Sequence, residues 1–177
     1  MRPRVAEGEV TTIVRPEPST ALDPGALRRA FGAFPSGVVA VAAEVDGVPV
    51  GMVASSFTSV SLEPALVSFS IANTSSTWPL LRRSARLGLS VLADHHDHVC
   101  RQLAGPAAQR FDGLSLLRSD AGAMLFEDAV ATFDCSIFRE VGAGDHTMVL
   151  LQLHEVHDTA AASPLVFHRS SFGRIAG

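Results

Sequence analysis

The chain contains neither lysine nor tyrosine: all 14 residues counted as Lys plus Arg are arginines. Lysine chemistry, such as a Schiff base or the lysine of a phosphate-binding P-loop, is therefore excluded, and so is any scheme that needs a phenol. Cysteine is scarce. Cys100 and Cys135 are the only two, too few for a disulfide scaffold and not spaced as a Cys-x-x-Cys pair, so reduced and partly buried thiols are expected. A basic excess is missing as well: the net charge of −4 at pH 7 argues against an electrostatic footprint for nucleic acid. No apolar run approaches the roughly 18 residues of a membrane-spanning helix. Residues 1–20 lack the apolar core of a secretory leader, and a cytoplasmic protein without membrane contact is expected. The familiar nucleotide and hydrolase signatures are absent too: no Gly-x-Gly-x-x-Gly after a strand, no Walker A, no Gly-x-Ser-x-Gly elbow. A phosphate bound here must be held by backbone N–H groups, hydroxyls and arginines rather than by a glycine-rich cradle.

What remains is a chain of 177 residues, 47% hydrophobic, the size of one domain with a real core. Residues 1–20 alternate charge, Pro and Thr without sustained periodicity and read as a flexible tail, with the domain running over 21–177. Asp23-Pro24 is a helix start, Asp as cap and Pro in the first turn, and Leu22, Leu27, Ala30, Phe31 and Phe34 give that helix an apolar face. From Val38 the pattern turns to β: Val38–Val45 and Val48–Val53 flank an Asp46-Gly47 turn as a hairpin. Ala65–Ile71 is a charge-free strand expected to be central to its sheet, and Trp78-Pro79 opens a short helix through LLRRSA. Arg86–Leu92 is a further strand, followed by a helix capped by Asp94 or Asp97. Gly105–Ser115 reads as loop, and the stretch on to Asp128 shows no clear period. Ala129–Val141, Thr147–Val156 and Pro164–His168 complete the strands. Mostly sequential strands with few short helices favour a mainly β, antiparallel barrel over βαβ units.

Two hydroxyl-rich segments stand at the ends of consecutive strands. GMVASSFTSVSLEP, Gly51 to Pro64, places Ser55, Ser56, Thr58, Ser59 and Ser61 in a presumed loop where an apolar strand runs out, and Asn73–Thr77 does the same after ALVSFSI. Such side chains bend the chain by bonding nearby backbone or offer donors to an anionic ligand. His95, His96 and His98 raise zinc or copper as ligands, but no Glu-x-x-His or cysteine partner accompanies them; a polar, exposed helix entry is the other reading, and no metal is expected. In Gly144-Asp145-His146-Thr147 a glycine-framed turn sets an imidazole at a strand end, a functional placement or simply a hairpin turn. Cys135, inside a strand, reads as core rather than nucleophile.

Four ordered blocks, FGAFPSGVVAVAA, DGVPVGMVASSFTSVSLEPALVSFSI, AGDHTMVLLQLHEV and PLVFHRSSFGRI, resemble those of the flavin reductase-like family, the small reductase components of two-component flavin-dependent monooxygenases. The resemblance runs from about Leu22 to the C-terminus. It implies an FMN-binding split β-barrel of Greek-key type, a homodimer, and hydride transfer from NADH or NADPH to N5 of FMN or FAD, with reduced flavin leaving for a partner oxygenase. Carried over by position, Val53, Ala54, Ser55, Ser56 and Phe57 match the segment lining the flavin ring. Ala72, Ser75, Ser76, Thr77 and Trp78 match a more variable segment near its phosphate, and Pro35, Ser36 and Gly37 match a block near flavin and nicotinamide. His146 matches the family histidine beside the nicotinamide, and His168 and Arg169 fall in a block that closes over the pyridine nucleotide. A flavin carrier without reductase activity, an oxidase of the pyridoxamine-phosphate type and a generic β-barrel binding domain are the alternatives.

Overall fold

The computed structural model describes residues 22–159 and 162–175; the expected tail over 1–20 lies outside them. A helix, α1 (Pro24–Phe31), is followed by β1 (Ser36–Gly37), β2 (Val39–Val45), β3 (Val48–Ala54), β4 (Thr58–Leu62) and β5 (Ala65–Ala72). Then come α2 (Trp78–Leu81), β6 (Leu87–Val91), α3 (Asp97–Leu103), β7 (Leu116–Arg118) and β8 (Met124–Phe126). Two long strands, β9 (Ala131–Ala143) and β10 (His146–Asp158), and a small hairpin, β11 (Leu165–His168) with β12 (Ser171–Arg174), complete the chain. Seven strands form one antiparallel sheet in the order β3-β2-β6-β9-β10-β5-β4, and β1-β11-β12 and β7-β8 form two smaller sheets.

The uninterrupted apolar run of β2 has a direct cause. Side chains alternate between the two faces of a strand, and both faces of β2 are covered. Val39, Val41 and Ala43 enter a core with Phe69, Trp78, Leu87, Leu89, Val149 and Leu151. Val38, Ala40 and Ala42 enter a second core with Leu92, Val99, Cys100, Leu103, Phe126 and Leu165. The sheet therefore separates two cores. Gly88 on β6 allows β8 to lie against it, since a Cβ there would collide with the Met124 carbonyl.

The Asp46-Gly47 hairpin is present, both residues having positive φ, as a type I′ turn requires. Several expectations need correction. The hydroxyl stretch is loop only at Ser55–Phe57, because Thr58–Leu62 is the edge strand β4, paired with β5. β5 is bonded on both sides but sits one strand from the edge, not at the centre. α2 ends at Leu81, so the helix does not extend through LLRRSA. Neither Asp94 nor Asp97 caps α3: His96 occupies the cap position and Asp97 is already helical. The patternless stretch before Asp128 contains the β7–β8 ribbon, and β12 follows the strand expected to be last. The apolar face of α1 meets no core, with Leu22, Phe31 and Phe34 each at least 70% exposed.

Candidate functional site

Three strand ends converge on one cleft of about 340 Å³, lined by Met52, Val53, Ala54, Ser55, Ser56, Ser70, Ile71, Ala72 and His146. Antiparallel register brings the last two together, since His146 at the start of β10 pairs directly with Ala72 at the end of β5. The link after β3 is fastened across the gap by Ser56, whose hydroxyl accepts from the Ser70 N–H at 2.9 Å and donates to the Ser70 carbonyl at 3.1 Å. A hydroxyl has one proton to donate, so Ser56 retains only acceptor capacity toward a ligand. Ser55 is exposed and its hydroxyl makes no hydrogen bond among the described residues. Val53, Ala54 and Ser55 also wall an apolar cavity of about 260 Å³ against Cys100, Ala104, Phe167 and Phe172.

His146 is aimed by its own turn. Gly144, with φ +67°, occupies the first position of a two-residue hairpin between β9 and β10, the place where a type II′ turn requires glycine. Asp145 Oδ1 lies 2.7 Å from His146 Nδ1. The hydrogen bond and charge of the imidazole hold the Asp145 carboxyl below its ordinary range. A carboxylate can only accept, so Nδ1 carries the proton and Nε2 is the nitrogen offered outward. Asn73 clamps this turn: its side-chain N–H donates to the Gly144 carbonyl at 3.2 Å, and its side-chain oxygen accepts from Thr147 at 2.9 Å. Its backbone N–H donates to the Asp145 carbonyl at 2.9 Å. In the sequence Asn73 stands only as the first residue of the second hydroxyl-rich segment; an amide directly after an apolar strand is its one visible signal.

The other residues expected at the site go elsewhere. Phe57 stacks on Phe133 at 6.1 Å and packs on the core. Ser75 accepts from the Trp78 N–H at the start of α2. Trp78 is buried, edge-on to Phe69, with its indole N–H donated to Glu140 at 2.8 Å. Thr77 is buried and accepts from Arg110, which also donates to the Gly51 and Gly105 carbonyls. Ser76, Thr77 and Arg110 line a separate cavity of about 490 Å³ together with Val48–Gly51. Ser36-Gly37 pairs with Phe167 and Val166 on β11, so Pro35, Ser36 and Gly37 sit beside the hairpin that carries His168 and Arg169 at its turn, a second grouping outside the lining of the His146 cleft.

Among the described residues no group of three or more His, Cys, Asp or Glu is arranged to hold a metal. His96 is not the exposed helix entry expected: it is buried, and its Nδ1 accepts from the Ala93 N–H at 3.1 Å. Burial, reinforced by His95 and His98, pushes its imidazole down to about 4, which keeps that acceptor lone pair at neutral pH. Both cysteines are buried, and burial pushes each thiol up to about 12, unlike an activated nucleophile.

Comparison with known proteins decides the lineage. The model of the flavin reductase like domain matches residues 31–176. The chain belongs to this family. It is 37% identical over 164 residues to an NADH:FMN oxidoreductase of Rhodococcus qingshengii, covering 90% of this chain and 85% of that protein. It is 31% identical over 152 residues to HsaB, the reductase subunit of a flavin-dependent monooxygenase in Rhodococcus jostii, covering 86% and 78%. Among solved structures, the Streptomyces globisporus NADH:FAD oxidoreductase SgcE6, in complex with NAD and FAD fragments, superposes with a TM-score of 0.81 at 33% identity, covering 89% of this chain and 98% of that one. The mainly β, antiparallel fold read for the flavin reductase-like family is thus the fold of its solved members.

Proposed function

We propose that this chain is an NAD(P)H:flavin oxidoreductase that reduces FMN or FAD and supplies reduced flavin to a partner flavin-dependent monooxygenase. The observation that carries this reading is the His146 cleft itself: in a chain of the flavin reductase-like family, three strand ends place an oriented imidazole beside an apolar wall and a free hydroxyl. Its size falls within the range of small-molecule sites, about 300–1,000 Å³. Its mixture of Val53, Ala54, Ile71 and Ala72 with a few polar groups suits a planar, partly polar ring system.

A bound flavin supplies the hydride acceptor and NADH or NADPH the hydride, chemistry that no side chain here provides. Val53, Ala54 and Ala72 would form the apolar wall against the ring, and Ser55 a hydroxyl donor at its edge. Ser56 would act mainly by holding the Ser55 link in place through Ser70. His146, fixed through Nδ1 by Asp145, presents Nε2 to orient the nicotinamide and to stabilise charge without itself transferring a proton. Ser75, Ser76 and Thr77 are read as the phosphate-side segment. Pro35–Gly37, His168 and Arg169 are read as the nicotinamide-side block, and Phe57 and Trp78 act from behind, in the core.

The protein is read as a cytoplasmic homodimer whose domain spans 21–177. Dimerisation is supported by apolar side chains left in solvent near the His146 end of β9 and β10: Phe138 is 50% exposed, and Val141 and Met148, paired across the two strands, are also exposed. No helix among the described residues is long and apolar enough to cross a membrane.

The test is oxidation of NADH and NADPH, followed by loss of nicotinamide absorbance, with and without FMN, FAD or riboflavin. Flavin-dependent oxidation is expected. Flavin binding without oxidation of either donor would mark a carrier instead, and turnover of an amine without a partner enzyme would mark an oxidase. In stopped flow, His146→Ala should keep flavin affinity and slow hydride transfer; a rate equal to wild type would remove His146 from the reaction.

A further inference from the structure

Beside the second grouping lies a cavity of about 440 Å³ lined by Arg28, Arg29, Gly32, Arg169 and Ser170. Two of its arginines are the basic residues of the last turn of α1; the third stands at the β11–β12 turn, from the opposite end of the chain. The two elements are joined by the Arg169 N–H, which donates to the Gly32 carbonyl at 2.9 Å. Arg169 and Ser170 both have positive φ, 48° and 62°. Side-chain-bearing residues seldom adopt this conformation, because the Cβ crowds the following carbonyl oxygen.

Three arginines line this one cavity in a protein of net charge −4. Asp23 is the only carboxylate in a salt bridge with any of them among the described residues, 3.9 Å from Arg29 with both side chains exposed. Its oxygens already accept from the Gly25 and Ala26 N–H groups as the cap of α1. By contrast Arg82, Arg83, Arg86, Arg101 and Arg118 are each paired with a carboxylate. Arg28 and Arg169 form no salt bridge among the described residues and Arg29 only the long one to Asp23; such guanidinium groups are matched by phosphate oxygens, which their fork binds bidentately.

We propose that Arg28, Arg29 and Arg169 form the subsite for the phosphate groups on the adenosine side of the hydride donor, either the diphosphate common to NADH and NADPH or the 2′-phosphate of NADPH. This rests on the reductase reading and deepens it by assigning the donor's far end to a place distinct from His146.

The test is calorimetric titration of the full chain with ADP-ribose, 2′-phospho-ADP-ribose and nicotinamide mononucleotide, for wild type and for Arg28→Gln, Arg169→Gln and their double variant. All three arginines are exposed, so the substitutions should leave the melting temperature within a degree or two, and Arg169→Lys should recover part of the affinity. The expected result is roughly tenfold or greater weakening for the double variant. Weakening of both adenosine ligands assigns the diphosphate, weakening of 2′-phospho-ADP-ribose alone assigns the 2′-phosphate, and nicotinamide mononucleotide should lose less affinity than the ligand that defines the subsite. Equal affinities in wild type and double variant, or a wild type that binds neither adenosine ligand, would overturn the proposal. So would a loss of affinity for FAD but not for these ligands, which would give the pocket to the diphosphate of the flavin. Arginine-dependent binding in a protein that oxidises neither NADH nor NADPH with any flavin would uphold the subsite and defeat the reductase reading. Hydride transfer with an unchanged KM for both donors in the double variant would do the reverse.

Discussion

The two hydroxyl-rich segments at consecutive strand ends look alike in sequence and behave differently in the fold. In Ser55–Ser56 one hydroxyl stays in solvent at the cleft while the other fastens the link to β5 through both directions of the Ser70 backbone. In Ser75–Thr77 the first hydroxyl opens a one-turn helix and the last is buried under Arg110. A serine or threonine at a strand end therefore serves whichever unpaired group the tertiary structure brings to it. A residue's availability to a ligand depends on whether that need is already met.

The largest effect should come from breaking the buried partner of the second segment. Arg110→Met removes three hydrogen bonds and leaves Thr77 and two carbonyls without their donor; a loss of about 3 kcal/mol in urea unfolding is expected, and a stability equal to wild type would show that Thr77 is not held as described. Next comes Ser56→Ala, expected to cost about 1 kcal/mol in the same measurement because both bonds are solvent-accessible. It should also raise hydrogen exchange at the Ser70 amide, and unchanged protection there would count against the fastening role.

Asn73→Ala sharpens the comparison from the side of His146, because Asn73 leads into the second segment yet holds the turn that aims the imidazole. Here the readout is kinetic: hydride transfer slowed by about tenfold, with flavin affinity retained and stability lowered by only about 1 kcal/mol. A wild-type rate would show that the turn needs no clamp. The smallest structural effect belongs to Ser55→Ala. Its melting temperature should match wild type, while flavin affinity falls by about fivefold, the worth of one neutral hydrogen bond. Unchanged affinity by fluorescence quenching would remove Ser55 from the site.

Most of the residues lining the cleft are legible in the sequence, because they lie where local signals are strong. Gly144 and Asp145 announce a turn with His146 beside a strand end, and the structure starts that strand at His146 itself rather than at Thr147. Ser55 was visible as polar chain directly after an apolar strand. The edge strand β4 was not, since Ser59 and Ser61 in TSVSL carry the composition of a loop and are held extended by pairing with β5. Nor was the burial of Thr77 and Trp78, whose partners Arg110 and Glu140 lie 33 and 62 residues away. The small β7–β8 ribbon has three residues per strand, too few for a period to register.

By itself the sequence determined what could be built from short-range chemistry: hairpin turns at Asp46-Gly47 and Gly144-Asp145, the helix start at Asp23-Pro24, apolar runs that had to be covered on both faces, and the exclusion of lysine and tyrosine chemistry. Tertiary structure alone decided which hydroxyls remained free, which histidine was buried and which arginines met. Those outcomes depend on groups brought together by strand register and hairpin docking across the whole chain, as when Arg169 reaches α1 through the Gly32 carbonyl. A polar group's role follows from the partner that satisfies it, and for these residues that partner is distant in sequence.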